Sequence, residues 1–119
     1  MSAEDFKNMA TGMSQNMTNV AAKVEEITSW SVAADRKTYV YGYTDLLKLD
    51  LREDLKRVQA KTLILGATFP TMEIAKATLE KQYALLDNKQ IEMAPGSKHF
   101  IMFDQPEWFY KQVNAFLNK

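Results

Sequence analysis

The only histidine of the chain, His99, lies in the stretch APGSKHFIMFDQPEWF, which covers residues 94–109. A short apolar run precedes this stretch, and Pro95 and Gly96 predict a turn that releases the chain from a strand. Open α/β sheets place ligands and catalytic groups just beyond the carboxyl ends of their strands. Imidazole can act there as a general base and acid near neutral pH. A structural histidine without chemistry is the other interpretation, and it is the commoner role of a lone histidine.

The overall composition excludes several classes of function. The 119 residues are 46% hydrophobic and 25% charged, which is typical of a globular domain or of part of one. The 15 basic residues balance the 15 acidic ones, so no overall positive field attracts nucleic acid or an anionic membrane. The absence of cysteine excludes disulfides, thiolate catalysis and zinc–thiolate sites. No apolar run approaches the roughly 20 residues that span a bilayer, and the N-terminus does not resemble a signal peptide. We expect a cytoplasmic protein.

The first half of the chain predicts helices and no strand. Ser2 is a candidate N-cap for a first helix, and Asp35 is one for a third helix that extends to residue 51. A second helix covers residues 21–34. The residues expected on the inner faces of these helices are Phe6, Met9, Met13 and Met17 in the first, Val24, Ile27 and either Trp30 or Ser31 in the second, and Tyr39, Tyr43, Leu46 and Leu47 in the third.

The second half predicts a strand, a helix, a second strand and a final helix. The apolar run from Thr62 to Leu65 is typical of a strand buried on both faces, and a second strand places Ile91 and Met93 on one side. The helices are expected over residues 71–88 and 105–119. Their predicted inner faces are Ile74, Thr78, Leu79, Tyr83 and Leu86 in one, and Phe109, Val113, Phe116 and Leu117 in the other. This order predicts an α/β fold with a right-handed crossover and a parallel strand pair.

Two parallel strands do not make a stable sheet by themselves. Parallel sheets normally need several strands and helices on both faces, and each of these two strands would leave an open edge. The sequence therefore predicts either that another chain supplies neighbouring strands or that this is one end of a larger sheet. We expect a homodimer, for which a two-fold pairing at the Thr62–Leu65 edge is one route, or association with a missing N-terminal half.

Residues 50–119 resemble the C-terminal end of the α/β-hydrolase superfamily. The stretch DLREDLKRVQAKTLILGA is similar to the return from the cap and the penultimate core strand of that family, and the following strand, histidine loop and helix are similar to its end. In that family the histidine loop has the sequence pattern Pro-x-x-x-His-Phe, followed by an acidic residue, Gln, Pro and Glu before a closing helix. Those positions are Pro95, His99, Phe100, Asp104, Gln105, Pro106, Glu107, Phe116 and Leu117.

The resemblance implies a partial α/β-hydrolase fold, with a helical cap or lid over residues 1–49 and the β-α-β-α end of the core over residues 50–119. It implies that His99 is the general base and acid of a serine hydrolase of the esterase or lipase kind, acting on a small hydrophobic ester or acyl substrate without a cofactor or metal. The chain contains no Gly-x-Ser-x-Gly stretch, and Ser97 is too near His99 along a turn to face it productively. We therefore expect the chain to be inactive alone, because the nucleophile is missing.

The sequence identifies the catalytic acid and the substrate pocket less clearly than it identifies His99. The loop after the first strand, residues 66–71, carries no carboxylate where many family members place the acid, and Glu73 follows in the first helical turn, where acids are favoured by the helix dipole alone. An acid upstream of this chain is the alternative. Candidate pocket residues are Met9, Met13, Met17, Trp30, Phe69 and Phe100, with Tyr39, Tyr41 and Tyr43 open as further candidates; all of them also suit an ordinary core.

A second hypothesis belongs to a different class. The chain would be a non-enzymatic binding or assembly module that descends from a hydrolase and associates with copies of itself. The absence of a recognisable nucleophile and acid motivates this alternative, since a module of this kind needs neither.

Overall fold

A computed structural model describes residues 1–118 of the chain, which forms two compact units, Met1–Asp50 and Leu51–Lys119. The first unit contains three helices, and the second contains a short 3₁₀ turn, two strands and three helices. The elements are α1 (Ala3–Gln15), α2 (Ala21–Ala33), α3 (Arg36–Lys48), the 3₁₀ turn (Glu53–Arg57), β1 (Thr62–Gly66), α4 (Met72–Gln82), β2 (Lys89–Met93), α5 (Ile101–Asp104) and α6 (Pro106–Leu117). Within residues 1–118, no helix has the length and apolar character needed to cross a membrane.

Helix α1 begins at the predicted cap. The Asp5 amide donates to the Ser2 hydroxyl at 3.0 Å, and the Ser2 amide donates back to the Asp5 carboxylate at 3.2 Å. This reciprocal capping box satisfies two donors that the helix itself leaves unpaired. The hydrogen bonds from the Ser2 hydroxyl and amide hold the pKa of Asp5 below its ordinary value of 3.8. The helix start is therefore determined by local sequence.

Small side chains form the contact between α1 and α2. Ala10 and Ser14 are buried on α1, and the Thr28 hydroxyl of α2 donates to the Ser14 hydroxyl at 3.1 Å. Small residues allow two helix backbones to approach closely, so this face packs against α2. The prediction that Met9, Met13 and Met17 form the inner face with Phe6 was wrong for Met9, which is 39% exposed; the other two methionines are half-buried.

Helix α3 differs most from its predicted packing. Asp35 caps it as expected, accepting from the Thr38 amide at 2.9 Å, and the Arg36 guanidinium lies 4.7 Å from the centroid of the Phe6 ring. The predicted inner face was nevertheless wrong beyond Tyr39, which is half-buried and packs edge-on against the Phe6 ring. Leu46 and Leu47 are 63% and 71% exposed. Periodicity identified an apolar face, but no element of the first unit covers it.

The parallel strand pair of the second unit is confirmed. Thr62 lies opposite Lys89 and Gly66 lies opposite Met93, in continuous parallel register. Helix α4 connects the strands and packs on both of them. Gly66 is buried, and its missing side chain leaves room for Leu79, whose Cδ1 is the atom nearest to a Cβ at this position, and for Met93, whose Sδ would lie 2.7 Å from that Cβ. The structure is thus a mixed α/β chain with a small parallel sheet.

Two predicted helices of the second unit have different bounds and faces. Helix α4 ends at Gln82, six residues before the predicted end at 88, because residues 83–86 form a turn that buries Leu86. Ile74 and Leu117, both predicted to face inward, are 55% and 72% exposed, and Thr78 is exposed as well. The last helix is preceded by the separate helix α5, and α6 begins at Pro106, whose missing amide donor costs nothing in a first turn.

Candidate functional site

The candidate site begins where β2 ends. The Ala94 amide donates to the Gly66 carbonyl at 2.8 Å, which is the last bond that ties this end of β2 to β1. Gly96 then adopts φ of +61°, in the left-handed region that other residues rarely occupy. This turn changes the direction of the chain and brings His99 to the carboxyl edge of the parallel pair, as the sequence predicts.

A reciprocal pair of hydrogen bonds joins the loops that follow the two strands. The Thr68 amide donates to the Ser97 carbonyl at 2.9 Å, and the Ser97 amide donates to the Thr68 hydroxyl at 3.1 Å. Ser97 is only 2% exposed, so these bonds are largely shielded from water. They fix the loop that carries His99 against the loop from Gly66 to Thr71. No motif in the sequence points to this role of Thr68.

Asp104 fixes the other side of the histidine loop. Its carboxylate accepts a hydrogen bond from the Lys98 amide at 2.8 Å. The Ile101 amide donates to the His99 carbonyl at 3.1 Å. The backbone on both sides of His99 is therefore held, and a charged acceptor makes the stronger of these bonds. The acidic position of the predicted motif acts here on the backbone of the loop.

The His99 ring itself is exposed. It packs edge-on against Phe100, with ring centroids 5.3 Å apart, and Phe100 stacks on Phe103 at the same centroid distance. Within residues 1–118 no hydrogen bond or ion pair engages the imidazole. An exposed histidine on a fixed backbone can accept a proton from a partner group that approaches the sheet edge.

Neither side chain weighed as a partner within the chain engages His99. The Ser97 hydroxyl is buried and donates to the Lys98 carbonyl at 2.9 Å, which leaves it unsuited to attack a substrate. Glu73 is exposed in the first turn of α4, and in the described part of the chain it has no hydrogen bond or ion pair. The structure brings neither of them together with His99.

The candidate pocket residues fall into two groups. Phe69 and Phe100 belong to the two joined loops of the second unit, and Phe69 is 51% exposed with the Lys98 ammonium 6.0 Å from its ring centroid. The three methionines and Trp30, which is 47% exposed, belong to the first unit. Their role in a pocket stays a prediction.

An open groove between α1 and α2 was not anticipated from the sequence. Its volume is about 580 Å³, within the usual range of ligand and peptide sites. The sequence signal for this groove is helical periodicity: Lys7 and Thr11 lie on a face of α1 other than that of the methionines. The lining residues are Lys7, Thr11, Ala21, Val24, Glu25, Thr28, Ser29, Val32 and Ala33.

In residues 1–118 no three His, Asp or Glu side chains are grouped so that they could hold a metal ion. Comparison with protein-family models, with curated proteins and with solved structures finds no match to this chain.

Proposed function

We propose that this chain is the cap and the C-terminal part of a serine hydrolase of the α/β-hydrolase kind, and that His99 is its general base and acid. The observation that carries the proposal is the placement of His99. This exposed residue follows a parallel strand, and backbone amides that donate to the Thr68 hydroxyl and to the Asp104 carboxylate fix the loop around it. A general base needs a fixed backbone of this kind, because its ring must keep one position relative to the nucleophile.

In this proposal the complete site acts by acyl transfer. A serine outside this chain attacks the carbonyl carbon of an ester while His99 takes the hydroxyl proton. The tetrahedral intermediate collapses, the alkoxide leaves with the proton from His99, and water then hydrolyses the acyl-enzyme by the same proton transfers in reverse. The substrate class is a small hydrophobic ester, for which exposed Phe69 and half-buried Phe100 offer apolar contacts near His99.

The strand pair supports the same proposal. β1 reads Thr-Leu-Ile-Leu-Gly without a charge, which is typical of an interior strand of a parallel sheet, whereas β2 carries Lys89 and Glu92, which are typical of an edge. Thr62 and Gly66 direct their backbone bonds to β2. Because alternate residues of a strand bond to opposite sides, Leu63 and Leu65 direct theirs to the other edge, where a further strand fits.

The proposal is tested by labelling cell extracts with a fluorophosphonate probe for reactive serines and blotting with an antibody against residues 94–119. We expect a labelled band of roughly twice the 13.6 kDa of this chain, the size of a complete hydrolase domain. His99→Ala in that longer protein should abolish labelling and ester hydrolysis, while His99→Ala in the 119-residue chain should leave its unfolding temperature unchanged. Full activity of the longer His99→Ala protein would refute the role of His99.

The second candidate is a non-enzymatic assembly module, and the uncharged β1 with its open edge favours it. In this case strand β1 pairs with β1 of another copy about a two-fold axis, and His99 has no proton-transfer role. An unlabelled band at the mass of the chain itself would favour this candidate. Loss of self-association after Leu63→Pro, which removes an outward amide donor of β1, would support it further.

A further inference from the structure

The open groove between α1 and α2, here called the α1/α2 groove, has a long apolar wall. One face of α2 forms this wall from Ala21 to Ala33, about 18 Å at 1.5 Å per residue, and Val24 and Val32 lie on it. The volume of about 580 Å³ suits a small ligand or a short peptide. All the lining residues belong to the first unit, so a role of the groove does not depend on His99.

Two opposite charges, one on each helix, border the groove. Lys7 lies on the α1 wall and Glu25 on the α2 wall, and both residues are exposed. Within residues 1–118 neither of these side chains has a hydrogen bond or an ion pair, with each other or with a third residue. The Thr11 hydroxyl already donates to the Lys7 carbonyl at 2.8 Å, and the Ser29 hydroxyl donates to a helix carbonyl at 2.6 Å. The groove therefore offers a ligand one free cation and one free anion.

The two charges lie toward opposite ends of the groove. Residues 16–20 alone join α1 to α2, which makes the helices antiparallel neighbours, and the Ser14 and Thr28 hydroxyls meet between them at 3.1 Å. Lys7 precedes Ser14 by seven residues. Glu25 precedes Thr28 by three, which in an antiparallel pair places it on the other side of this contact. The two offsets together place Lys7 and Glu25 about 15 Å apart along the helix axes, too far for them to pair with each other.

From these observations we propose that the α1/α2 groove binds a short apolar peptide with free termini, about three residues long. Its α-ammonium group binds Glu25, its α-carboxylate binds Lys7, and its side chains pack on Val24 and Val32. An extended tripeptide is about 10 Å long, and a charged hydrogen bond of about 2.8 Å at each end brings the span to about 16 Å. This span matches the separation of the two charges, whereas a single amino acid is too short to reach both.

The first test is an NMR titration of the full chain with the tripeptide Leu-Val-Leu. We expect the amide signals of Val24, Thr28 and Val32 to shift and to saturate at millimolar peptide. The same tripeptide with an acetylated N-terminus and an amidated C-terminus should bind about 10-fold more weakly, because it loses two exposed ion pairs of about 3-fold each. Absence of the shifts at millimolar Leu-Val-Leu would overturn the proposal. Equal binding of the blocked peptide would overturn it in favour of an internal segment of a larger protein.

Two variants assign each terminus of the peptide to its charge. Glu25→Gln should weaken binding of free Leu-Val-Leu about 3-fold and leave binding of the N-acetylated peptide unchanged, since that peptide has no ammonium group. Lys7→Gln should weaken the free peptide about 3-fold and leave the C-amidated peptide unchanged. Glu4→Gln and Lys48→Gln remove exposed charges outside the groove and should change neither affinity. The opposite pairing of variants with blocked peptides would overturn the proposed orientation, and effects that simply add would overturn both contacts.

The apolar contribution is tested with Gly-Gly-Gly, which has the same termini without apolar side chains. It should bind at least about 10-fold more weakly than Leu-Val-Leu, because it buries little apolar surface. Val32→Ser, which removes apolar surface from the groove, should weaken Leu-Val-Leu about 5-fold and leave Gly-Gly-Gly unchanged. Circular dichroism establishes that this variant keeps its helices. Equal affinities for the two peptides would show that the charges act without the apolar wall and would overturn the proposal.

Discussion

The hydrogen bond from the Lys98 amide to the Asp104 carboxylate should determine how firmly the His99 loop is held. A hydrogen bond to a charged acceptor contributes about 1.5–3 kcal/mol. Asp104 is half-buried and the bond is 2.8 Å long, so we expect Asp104→Ala to lower the free energy of local opening by about 2 kcal/mol. Since about 1.4 kcal/mol corresponds to a factor of ten, the Lys98 amide should exchange with solvent about 30-fold faster.

Hydrogen exchange measured by NMR resolves this effect residue by residue. Asp104→Asn is the matched variant, because it keeps an oxygen acceptor without the charge, and its Lys98 amide should exchange only about 5-fold faster, for a loss near 1 kcal/mol. The Ala94 amide, which donates to the Gly66 carbonyl, is an internal control and should not change. Equal exchange of the Lys98 amide in the wild type and Asp104→Ala would refute the assignment of Asp104 as the anchor of the loop.

Three further predictions concern stability. Gly66→Ala should lower the melting temperature of the second unit by roughly 4–8 °C, because a Cβ atom 2.7 Å from Met93 Sδ overpacks the sheet by a net of about 1 kcal/mol. Its matched control is Gly12→Ala, which has open space around it and should raise the free energy of unfolding by about 0.5–1 kcal/mol. Asp5→Asn should cost stability at neutral pH, because the lowered pKa of Asp5 makes its contribution complete above 3.8; the difference from wild type in thermal melts should vanish as pH falls through the folded-state pKa. His99→Gln should change the free energy of unfolding, measured in urea, by less than about 0.5 kcal/mol, because the ring is exposed.

Features that depend on neighbouring residues in the chain could be predicted from the sequence. Ser2 and Asp35 cap their helices because the bonds they make span three residues, and the apolar run from Thr62 predicts β1 because its length and flanking glycine are local signals. The face that a helix buries is a different matter. The spacing of Leu46 and Leu47 identifies an apolar face of α3, but burial depends on whether another element covers it, and periodicity contains no information about that element.

The same distinction applies to the site. The glycine turn and the end of β2 place His99 at the sheet edge from local signals alone, whereas the bond between Thr68 and Ser97 joins residues 29 positions apart that meet only because the strands are parallel and in register. Parallel register brings the loops after both strands to one edge, so the loop after β1, which carries no candidate catalytic side chain, still fixes the backbone of the loop that carries His99. The geometry at His99 is for this reason a property of the strand pair as a whole: any change that shifts the register of β1 against β2 separates Thr68 from Ser97 and frees the histidine loop, even if His99 and its neighbours in sequence are untouched.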